Sequence, residues 1–492
     1  MKIIFQLIVS LVVVSAMVTI YSCQDDSVSM ESNIPLRFSV DTLRFDTVFT
    51  ELGSATRFVK IYNDLNQAIV LDEVSLDDAS GFFRLNVDGT SNNTVQNVRI
   101  EAQDSIYIFA EVTIDPDMPL SISPFIIERG IDIKANDSQH RIYLESWGQN
   151  ANYIPGKNSA STVNILTCNL GSRTWDDPKP YVIYGALIID SCELIIPQGQ
   201  QVYVHGGVAI TDLGIYNDGL VVFLQNGSLT INGTLDNPVT IKTDRLEEPF
   251  NEVSGQWSGI LMTAGSSARL SHTIIENSIV GLSVDSTAEV RLDACTIAHT
   301  SGSAISASNG TIFADNSLFY DNGGFGLSLN FGGNYNFNYC TVSNYNNQDQ
   351  ALFLNNFRCE NSECSEVLAN PLRATFTNCI FVGNDRDEIS LADITAGDEP
   401  DFFDYNLENC MVVVDELLDA DAFPNFFDRC LDCKNVTRSD SIFLDLDAFD
   451  FSLDTMSIAI DMGKNISGIN TDIIGNPRAI DQPDMGCYEF QK

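Results

Sequence analysis

The chain has 492 residues, 44% of them hydrophobic, and a formal net charge of −41. This length allows two or three domains, and this hydrophobic content excludes a wholly disordered chain. A charge this negative repels nucleic acid and anionic lipid surfaces, which excludes nucleic acid as a partner. It also argues against a cleft built for uronic-acid polymers, because such a cleft needs basic residues.

The N-terminus has the pattern of a targeting segment. Met1-Lys2 is a short positive start, and residues 3–20 are almost wholly apolar. The run is long enough to cross a bilayer, so a retained transmembrane anchor is one interpretation. A secretory signal has the same start and the same run, followed by a small-residue cleavage site.

The end of this run, Ile20-Tyr21-Ser22-Cys23, resembles a bacterial lipoprotein cleavage box. The resemblance implies that residues 1–22 are a signal peptide and that Cys23 carries lipid. The two or three acyl chains of such a lipoprotein anchor a protein stably, whereas a single chain binds only marginally. We therefore predict a protein anchored by lipid in the outer membrane.

Residues 23–33 are predicted to form an acidic linker. Its Gln24-Asp25-Asp26 resembles the export tag of lipoproteins from the Bacteroidetes group. That resemblance implies a position on the outside of the outer membrane. The alternative interpretation is the acidic start of a solvated linker without a sorting function.

Residues 34–150 alternate as short strands separated by turn signals, which indicates a β-sandwich. The strand-like segments are RFVKIYN, QAIVLDEVSL, FFRLNV, SIYIFAEVTI and DIKANDSQHRIYLES. They resemble the immunoglobulin-like domains of the abnormal-spindle and Hydin type. In a surface lipoprotein this resemblance implies a stalk or docking module.

A repeat follows in the middle of the chain. Its segments share the order apolar, two variable residues, small, variable, aliphatic, and the first three steps are 22, 21 and 24 residues. The apolar positions are Leu270, Leu292, Phe313, Phe337, Phe376 and Leu407. Such a period, with Asn, Gly, Ser and Asp between short strands and no helical periodicity, is typical of a β-solenoid.

Alternation within each repeat predicts three short strands per coil, as in a right-handed parallel β-helix. We therefore predict an all-β chain with an N-terminal β-sandwich and this β-helix over residues 155–415. In the predicted register Ile297 and Leu327 are buried, whereas Thr296 and Ser328 are exposed.

The cysteines separate into distinct groups. If Cys23 carries lipid, eleven of the twelve cysteines remain, so at least one is unpaired. Cys359 and Cys364 are a candidate disulfide that closes a small loop. Cys430 and Cys433 could pair, bind a metal or act in redox chemistry.

A small inward column of the repeat is also rich in cysteine. It consists of Thr273, Cys295, Asn316, Cys340, Cys379 and Cys410. We interpret its thiols as small buried hydrophobes, against the alternative of a metal or redox ladder. Cys340 and Cys379, if they lie in neighbouring coils, could also bridge.

The segments LIIPQGQQVYVHGG (194–207), NGSLTINGTLDNPVTI (226–241) and SGQWSGI (254–260) look like coils of secreted β-helix proteins. The whole of 155–415 resembles the right-handed β-helix lipoproteins of Bacteroidetes, within the pectate-lyase-like superfamily. The C-terminal region, 416–492, resembles the tail that closes such solenoids. Its polar positions are expected to form an ion-paired cap over the last coil: Asp461, Asp472, Arg478, Asp484 and Glu489.

The predicted outward columns favour a binding scaffold over an enzyme. They place no two carboxylates side by side and no arginine beside an acid, so no catalytic residue is assigned. The corner acids Asp293 and Asp315 are interpreted as solvated turn residues. Of the four histidines, His272 and His299 lie near each other and are interpreted as exposed turn residues. No metal site or cofactor is predicted, although the acidic surface could attract calcium.

Two insertions interrupt the coils, residues 355–372 and 392–405, and insertions in a solenoid often form its binding face. Phe402 and Phe403 are the candidate binding residues, whereas Tyr405 is expected to point inward. We predict a non-catalytic surface scaffold that binds glycan or another surface partner through these loops. The alternative is a polysaccharide lyase or glycoside hydrolase built on the β-helix.

Overall fold

A computed structural model of the chain describes residues 27–32, 34–49, 56–78, 81–113, 125–149, 151–154, 163–211, 214–246, 248–345, 347, 349–419, 423–438 and 440–491. The chain divides into two compact units, residues 1–150 and 151–492. Both are built from β-strands, as predicted. No helix in the described ranges has the length and apolar character needed to span a membrane.

The first unit consists of two five-stranded sheets, in the orders β1-β3-β8-β5-β6 and β2-β10-β9-β4-β7. All neighbours are antiparallel except β2 and β10, which are parallel. Strict alternation explains the packing: in β3, Val59 and Ile61 are buried, whereas Phe58 lies on the outer face. The strands are β1 (Arg37–Phe38), β2 (Thr42–Phe49), β3 (Arg57–Tyr62), β4 (Ile69–Asp77), β5 (Phe83–Val87), β6 (Thr90–Ser91), β7 (Thr94–Ile100), β8 (Ser105–Val112), β9 (Phe125–Ala135) and β10 (Ser138–Gln149).

The second unit is a right-handed parallel β-helix with three strands per coil, as predicted. Its strands and two side hairpins are β11 (Asn152–Ile154), β12 (Val163–Thr167), β13 (Ser172–Thr174), β14 (Tyr181–Tyr184), β15 (Ala186–Asp190), β16 (Glu193–Pro197), β17 (Gln201–His205), β18 (Val208–Thr211), β19 (Gly214–Asn217), β20 (Leu220–Phe223), β21 (Ser228–Asn232), β22 (Val239–Thr243), β23 (Trp257–Met262), β24 (Ser267–Ser271), β25 (Thr273–Glu276), β26 (Ser278–Val284), β27 (Glu289–Asp293), β28 (Thr296–Thr300), β29 (Ile305–Ser308), β30 (Thr311–Asp315), β31 (Leu318–Asn322), β32 (Leu327–Asn330), β33 (Gly333–Asn338), β34 (Thr341–Asn344), β35 (Leu352–Asn355), β36 (Phe357–Cys359), β37 (Val367–Ala369), β38 (Leu372–Thr377), β39 (Ile380–Gly383), β40 (Ile389–Ala392), β41 (Phe403–Glu408), β42 (Met411–Val412), β43 (Cys430–Leu431) and β44 (Lys434–Asn435).

These strands form three parallel sheets, which the chain visits in the order A, B, C in each coil. Sheet A contains β12, β15, β20, β23, β26, β29, β32, β35 and β40; sheet B contains β13, β16, β21, β24, β27, β30, β33, β38, β41 and β43; sheet C contains β11, β14, β17, β22, β25, β28, β31, β34, β39, β42 and β44. The inward residues of all three sheets form one continuous apolar core. Each coil therefore depends on its neighbours for burial.

The corner between sheets B and C is sharp in the six coils from β24 to β42, because one residue in each of these coils adopts a left-handed backbone. The φ angles are 43° at His272, 51° at Ala294, 48° at Asn316, 52° at Tyr339, 56° at Asn378 and 50° at Asn409. Asparagine tolerates this conformation better than most residues, and it holds three of these six positions. The corner fixes which residues point inward on both adjoining strands.

The predicted register is wrong by one residue in the coil of β30. Phe313, expected inside, lies on the outer face opposite Arg291, whereas Ala314 pairs with Leu292 inside. Consequently Ser317, in place of Asn316, occupies the small inward column, and its hydroxyl accepts a hydrogen bond from Cys295 N at 3.2 Å. A one-residue slip exchanges the two faces of a strand. Because Ile312, Phe313 and Ala314 are all apolar, hydrophobicity does not distinguish the two registers in this strand.

Elsewhere the register test gives a mixed result. Ile297 and Leu327 are buried at 0% exposure, as predicted, and Thr296 is partly exposed. Ser328 is only 7% exposed, which contradicts the prediction. Its neighbour in the next coil is Phe353, and we attribute the burial of this short side chain to the larger side chain beside it.

Residues 416–419 and 423–433 close the end of the β-helix. Leu417 and Phe426, from the 3-10 turns Glu416–Leu418 and Phe426–Arg429, join the main core. A disulfide between Cys430 and Cys433 holds this segment. The last coil is thus covered by this segment, and the polar tail motif lies elsewhere.

The tail, residues 442–490, lies along the outer face of sheet C. Its strands β45 (Phe443–Asp445) and β46 (Asp450–Leu453) and the motif after them share a second core with apolar residues of that face. The sheet C residues in this core include Leu318, Ile380 and Met411. The expected position over the last coil is therefore wrong for Asp461, Asp472, Arg478, Asp484 and Glu489, because the apolar outer face of sheet C requires a lateral cover. The expected ion pairing is present between Arg478 and Glu489.

The described cysteines form three disulfides and leave five buried thiols. The bonds join Cys168 to Cys192, Cys359 to Cys364 and Cys430 to Cys433. The free cysteines are Cys295, Cys340, Cys379, Cys410 and Cys487. Burial raises the pKa of Cys295 to about 12, which makes this thiol a weak nucleophile.

Candidate functional site

The outer face of sheet B carries a groove of about 660 Å³, bounded on one side by tail residues 468–471. Its floor comes from the outward residues of β24, β27 and β30. The charged and aromatic side chains on this floor are Arg269, Arg291, Asp293, Phe313 and Asp315. Because the sheet is parallel and in register, side chains from successive coils form straight columns across the groove.

The first column is cationic and aromatic. Arg269 pairs in register with Arg291, and Arg291 pairs with Phe313. The Arg291 guanidinium lies 4.1 Å from the centre of the Phe313 ring, and its Nε contacts Glu289 at 2.8 Å. Arg269 is exposed and has no ion-pair partner among the described residues. It therefore offers free hydrogen-bond donors to a ligand.

The second column is acidic. Asp293 pairs in register with Asp315, one position before the left-handed corner. Asn338 donates a hydrogen bond to Asp315 at 2.8 Å. Burial, reinforced by the charge of Asp293, raises the pKa of Asp315 despite this hydrogen bond. Since adjacent strands lie about 4.8 Å apart, the groove holds two neighbouring carboxyl groups with different environments.

The interpretation of Asp293 and Asp315 as solvated turn residues holds only in part. Asp293 is exposed, whereas Asp315 is partly buried and stacks on Asp293. The outward columns predicted from the sequence contain only positions within the strands. They do not include the corner positions that hold Asp293 and Asp315. An alignment that placed Ala314 inward would have put both acids in one column and Phe313 beside Arg291.

The two inserted loops lie along the edge of sheet B that adjoins sheet A, because each connects sheet A to sheet B. The tail residues 468–471 lie at the other edge of sheet B. In the first loop, β36 and β37 form a hairpin around the Cys359–Cys364 disulfide. Arg358 from this hairpin lies 4.5 Å from the ring centre of Phe331. The second loop is folded around Asp393. Although burial opposes the shift, hydrogen bonds from Thr395 and others lower the pKa of this carboxyl group.

The two candidate loop aromatics differ in position. Phe402 is half-buried, whereas Phe403 is the first residue of β41 and only 3% exposed. The ring of Phe403 packs against Tyr405, which points inward as expected. Phe403 is therefore unavailable to a ligand. The inward alternation of β41 already begins at Phe403, whereas the predicted loop extended to Tyr405.

Of the two histidines interpreted as exposed turn residues, His272 lies at the corner between sheets B and C and is partly exposed, whereas His299 departs from the interpretation. His299 is buried, and its Nδ1 lies 2.6 Å from Asp321. His205 lies 2.8 Å from Asp244, and this hydrogen bond raises the pKa of His205. The described residues contain no group of three or more His, Cys, Asp or Glu side chains arranged for a metal ion.

The lipidation residue Cys23 and the export residues Gln24, Asp25 and Asp26 lie outside the described residues, as do residues 1–22. Their assignments stay predictions.

The comparisons with known proteins support the fold. A family model described as "Right handed beta helix region" matches residues 199–362 and 258–411. Sheets A, B and C run through both matched segments. No curated protein matches the chain.

Several solved structures are similar at low identity. The complex of XylC with xylose has 8% identity, covers 91% of this chain and 88% of that chain, and has a TM-score of 0.35. A GH87 alpha-1,3-glucanase catalytic domain with nigerose has 10% identity, coverages of 74% and 78%, and a TM-score of 0.16. A protein of unknown function from Porphyromonas gingivalis W83 has 14% identity, covers 28% of this chain and has a TM-score of 0.18. The chain spans 59% of the length of that last protein.

Proposed function

We propose that the protein is a lipid-anchored scaffold on the outer face of the outer membrane that binds a neutral glycan along sheet B. The observation that carries this proposal is the column of Arg269, Arg291 and Phe313 in an open groove. Guanidinium groups donate to hydroxyl and ring oxygens, and an aromatic ring face attracts the weakly positive C–H groups of a sugar.

The preference for a neutral glycan follows from the charges around the groove. Arg291 is already paired with Glu289, and Asp293 and Asp315 add two carboxyl groups beside the arginines. The chain as a whole carries −41, so a polyuronate meets long-range repulsion. The loop 355–372 and the tail residues 468–471 border the face from opposite edges and would confine a chain between them.

The test is a glycan array run beside assays for new reducing ends and for unsaturated products, with and without calcium. We expect binding of a neutral glycan without turnover, at least tenfold weaker for Arg269→Ala. Thr375→Ala is the matched control, because Thr375 is exposed in the same outward column at a distance from the groove. Equal binding by both variants would contradict the proposed site.

The column of Asp293 and Asp315 favours a second candidate, a glycoside-active enzyme. Glycoside hydrolysis uses two carboxyl groups, one of them with a raised pKa. Turnover of any polysaccharide that is abolished by Asp315→Asn would replace the scaffold proposal with this one.

Anchoring has its own test. We expect Cys23→Ala to release the protein from the membrane fraction, and Asp25→Ala with Asp26→Ala to keep the lipid but reduce exposure to protease on whole cells. A Cys23→Ala protein that stays in the membrane with an intact Met1 would favour the transmembrane anchor.

A further inference from the structure

The corner between sheets B and C carries a column of side chains that hold the tail. Asn378 donates to the carbonyl of Lys464 at 2.7 Å and accepts from its N–H at 2.8 Å. The hydroxyl of Tyr339 donates to the same carbonyl at 2.7 Å. At the other end of this tail segment, Asn316 Nδ2 donates to the carbonyl of Thr471 at 3.0 Å. The segment is therefore attached to the β-helix at both ends.

The second attachment lies directly beside the groove on sheet B. Tail residues 468–471 form one wall of that groove, and Asn316 lies at its edge. Gly468 turns the wall with a φ of 98°, a conformation that glycine adopts without steric cost. After this turn, the half-buried Ile469 and the exposed Asn470 both line the groove. The attachment at Asn316 thus holds the part of the tail that a ligand would meet.

The side chain of Asn316 makes two contacts of different kinds. Its Nδ2 donates to Thr471 of the wall, whereas its Oδ1 accepts from Arg478 Nη2 at 2.8 Å. The side chain is buried, and the preceding residue in the chain is Asp315 of the groove floor. An amide that is bonded at both its oxygen and its nitrogen has a single orientation. Asn316 therefore connects the floor and the wall rigidly.

We infer that Asn316 is the positioning residue that fixes this wall relative to the floor, and that the wall selects unbranched over branched glycans. The selection rests on the glycan binding proposed for sheet B. A glycan chain that lies on the floor beside a fixed wall has no room for a branch on that side, because the branch would overlap Ile469 and Asn470. Steric exclusion of a competing ligand is a common source of specificity.

The first test separates the two contacts of Asn316 and needs no glycan. In Asn316→Asp the new side chain tolerates the left-handed backbone and still accepts from Arg478, but it can no longer donate to Thr471. We expect an unchanged midpoint in urea denaturation and faster hydrogen exchange in residues 468–472. A Ser271→Cys reporter in the groove lining should react at least fivefold faster with a bulky maleimide, and at an unchanged rate with iodoacetamide.

The second test measures selection with matched pairs of oligosaccharides in calorimetric titrations. The pairs are cellotetraose with the xyloglucan heptasaccharide, mannopentaose with its galactosyl-substituted form, and xylopentaose with its arabinosyl-substituted form. We expect the wild-type protein to bind at least one unbranched member at least tenfold more tightly than its partner. Asn316→Asp should reduce this preference to threefold or less, and so should Ile469→Ala, which shortens the wall without touching the buried amide. A merely structural role would weaken both members of a pair equally.

Asn378→Asp is the matched control. Asn378 has the same left-handed corner backbone, lies outside the groove lining and donates to Lys464, whose carbonyl Tyr339 also holds. This variant should leave the labelling rates and the preference unchanged.

Unchanged labelling and exchange in Asn316→Asp would overturn the positioning role. A preference that persists in both Asn316→Asp and Ile469→Ala, or a wild-type preference for branched members, would overturn selection by the wall. If no oligosaccharide binds the wild-type protein, the glycan proposal for sheet B fails and selection fails with it, whereas the labelling result still decides the role of Asn316.

Discussion

Sheets B and C of the β-helix are both parallel sheets, but their outer faces differ in polarity. Sheet C turns apolar residues outward, such as Leu318 and Met411, and the tail buries them in a second core. Sheet B turns Arg269, Arg291 and Asn406 outward, and these residues stay accessible. The comparison teaches that a β-helix wall becomes a core or a binding surface according to the chemistry of its outward columns.

The tail contact also depends on polar groups. Arg478 lies 3.3 Å from Glu489, donates to Asn316 at 2.8 Å and lies 3.8 Å from the centre of the Tyr339 ring. The carboxylate of Glu489 also accepts hydrogen bonds from the backbone of Ala479 and Asp484. These contacts hold the tail in place on the corner between sheets B and C, where Asn316 and Tyr339 lie.

The largest expected effect is at this buried pair. Arg478→Ala leaves the Glu489 carboxylate without its counterion, so we expect a loss of about 3 to 5 kcal/mol in the free energy of unfolding. Urea denaturation measures it. Arg386→Ala removes an exposed pair with Asp415 and should cost at most about 1 kcal/mol. Similar losses of unfolding free energy in Arg478→Ala and Arg386→Ala would contradict the burial of the Arg478–Glu489 pair.

The next effect compares the two faces within one coil. Leu318→Ala removes a side chain that is 4% exposed between sheet C and the tail, and we expect a loss of about 2 to 5 kcal/mol in unfolding free energy. Thermal unfolding and urea titration both report it. A loss below about 1 kcal/mol would mean that the tail leaves this face in solution.

A titrating group at the edge of sheet C gives the third effect. Glu388 is fully buried at the turn from β39 to β40 and accepts backbone hydrogen bonds from Ala351 and Asp385. Burial raises its pKa from 4.5 to about 7 despite these bonds. Between these two values the folded state keeps a proton that the unfolded state has released, so the stability contributed below pH 4.5 is lost as pH rises through 7.

The difference between 4.5 and about 7 corresponds to roughly 3 kcal/mol of unfolding free energy across this window. Glu388→Gln should remove that component of the stability–pH profile, measured by urea denaturation from pH 4 to 8. Asp440→Asn is the control, since hydrogen bonds that the Asp440 carboxylate accepts from the backbone and hydroxyl of Thr437 lower its pKa. An unchanged profile in Glu388→Gln would show that another group carries the dependence.

The smallest expected effect on stability is at the open face. Phe313 lies half-exposed on sheet B, in the same coil as Leu318, so Phe313→Ala should cost about 1 kcal/mol or less. Glycan binding should nevertheless fall at least tenfold. If Phe313→Ala lost several kcal/mol of unfolding free energy but kept glycan binding, the outer face of sheet B would be a packing surface and not the binding surface.

The candidate site was only partly predictable. Arg269 and Arg291 were placed outward correctly because their coils alternate cleanly between polar and apolar residues. Phe313 was misplaced because Ile312, Phe313 and Ala314 are all apolar, so both registers looked acceptable.

What the sequence determined by itself is the local order of the chain. A period of about 22 residues, strict alternation and turn residues between strands establish the β-helix and the sandwich, since these signals act over a few residues. The inward positions of Leu292, Phe337 and Cys379 follow from the same pattern. Only the tertiary structure decided the contacts between distant segments: the tail on sheet C and the burial of His299. These depend on which faces meet after folding, and burial at long range leaves no periodic signal in the chain.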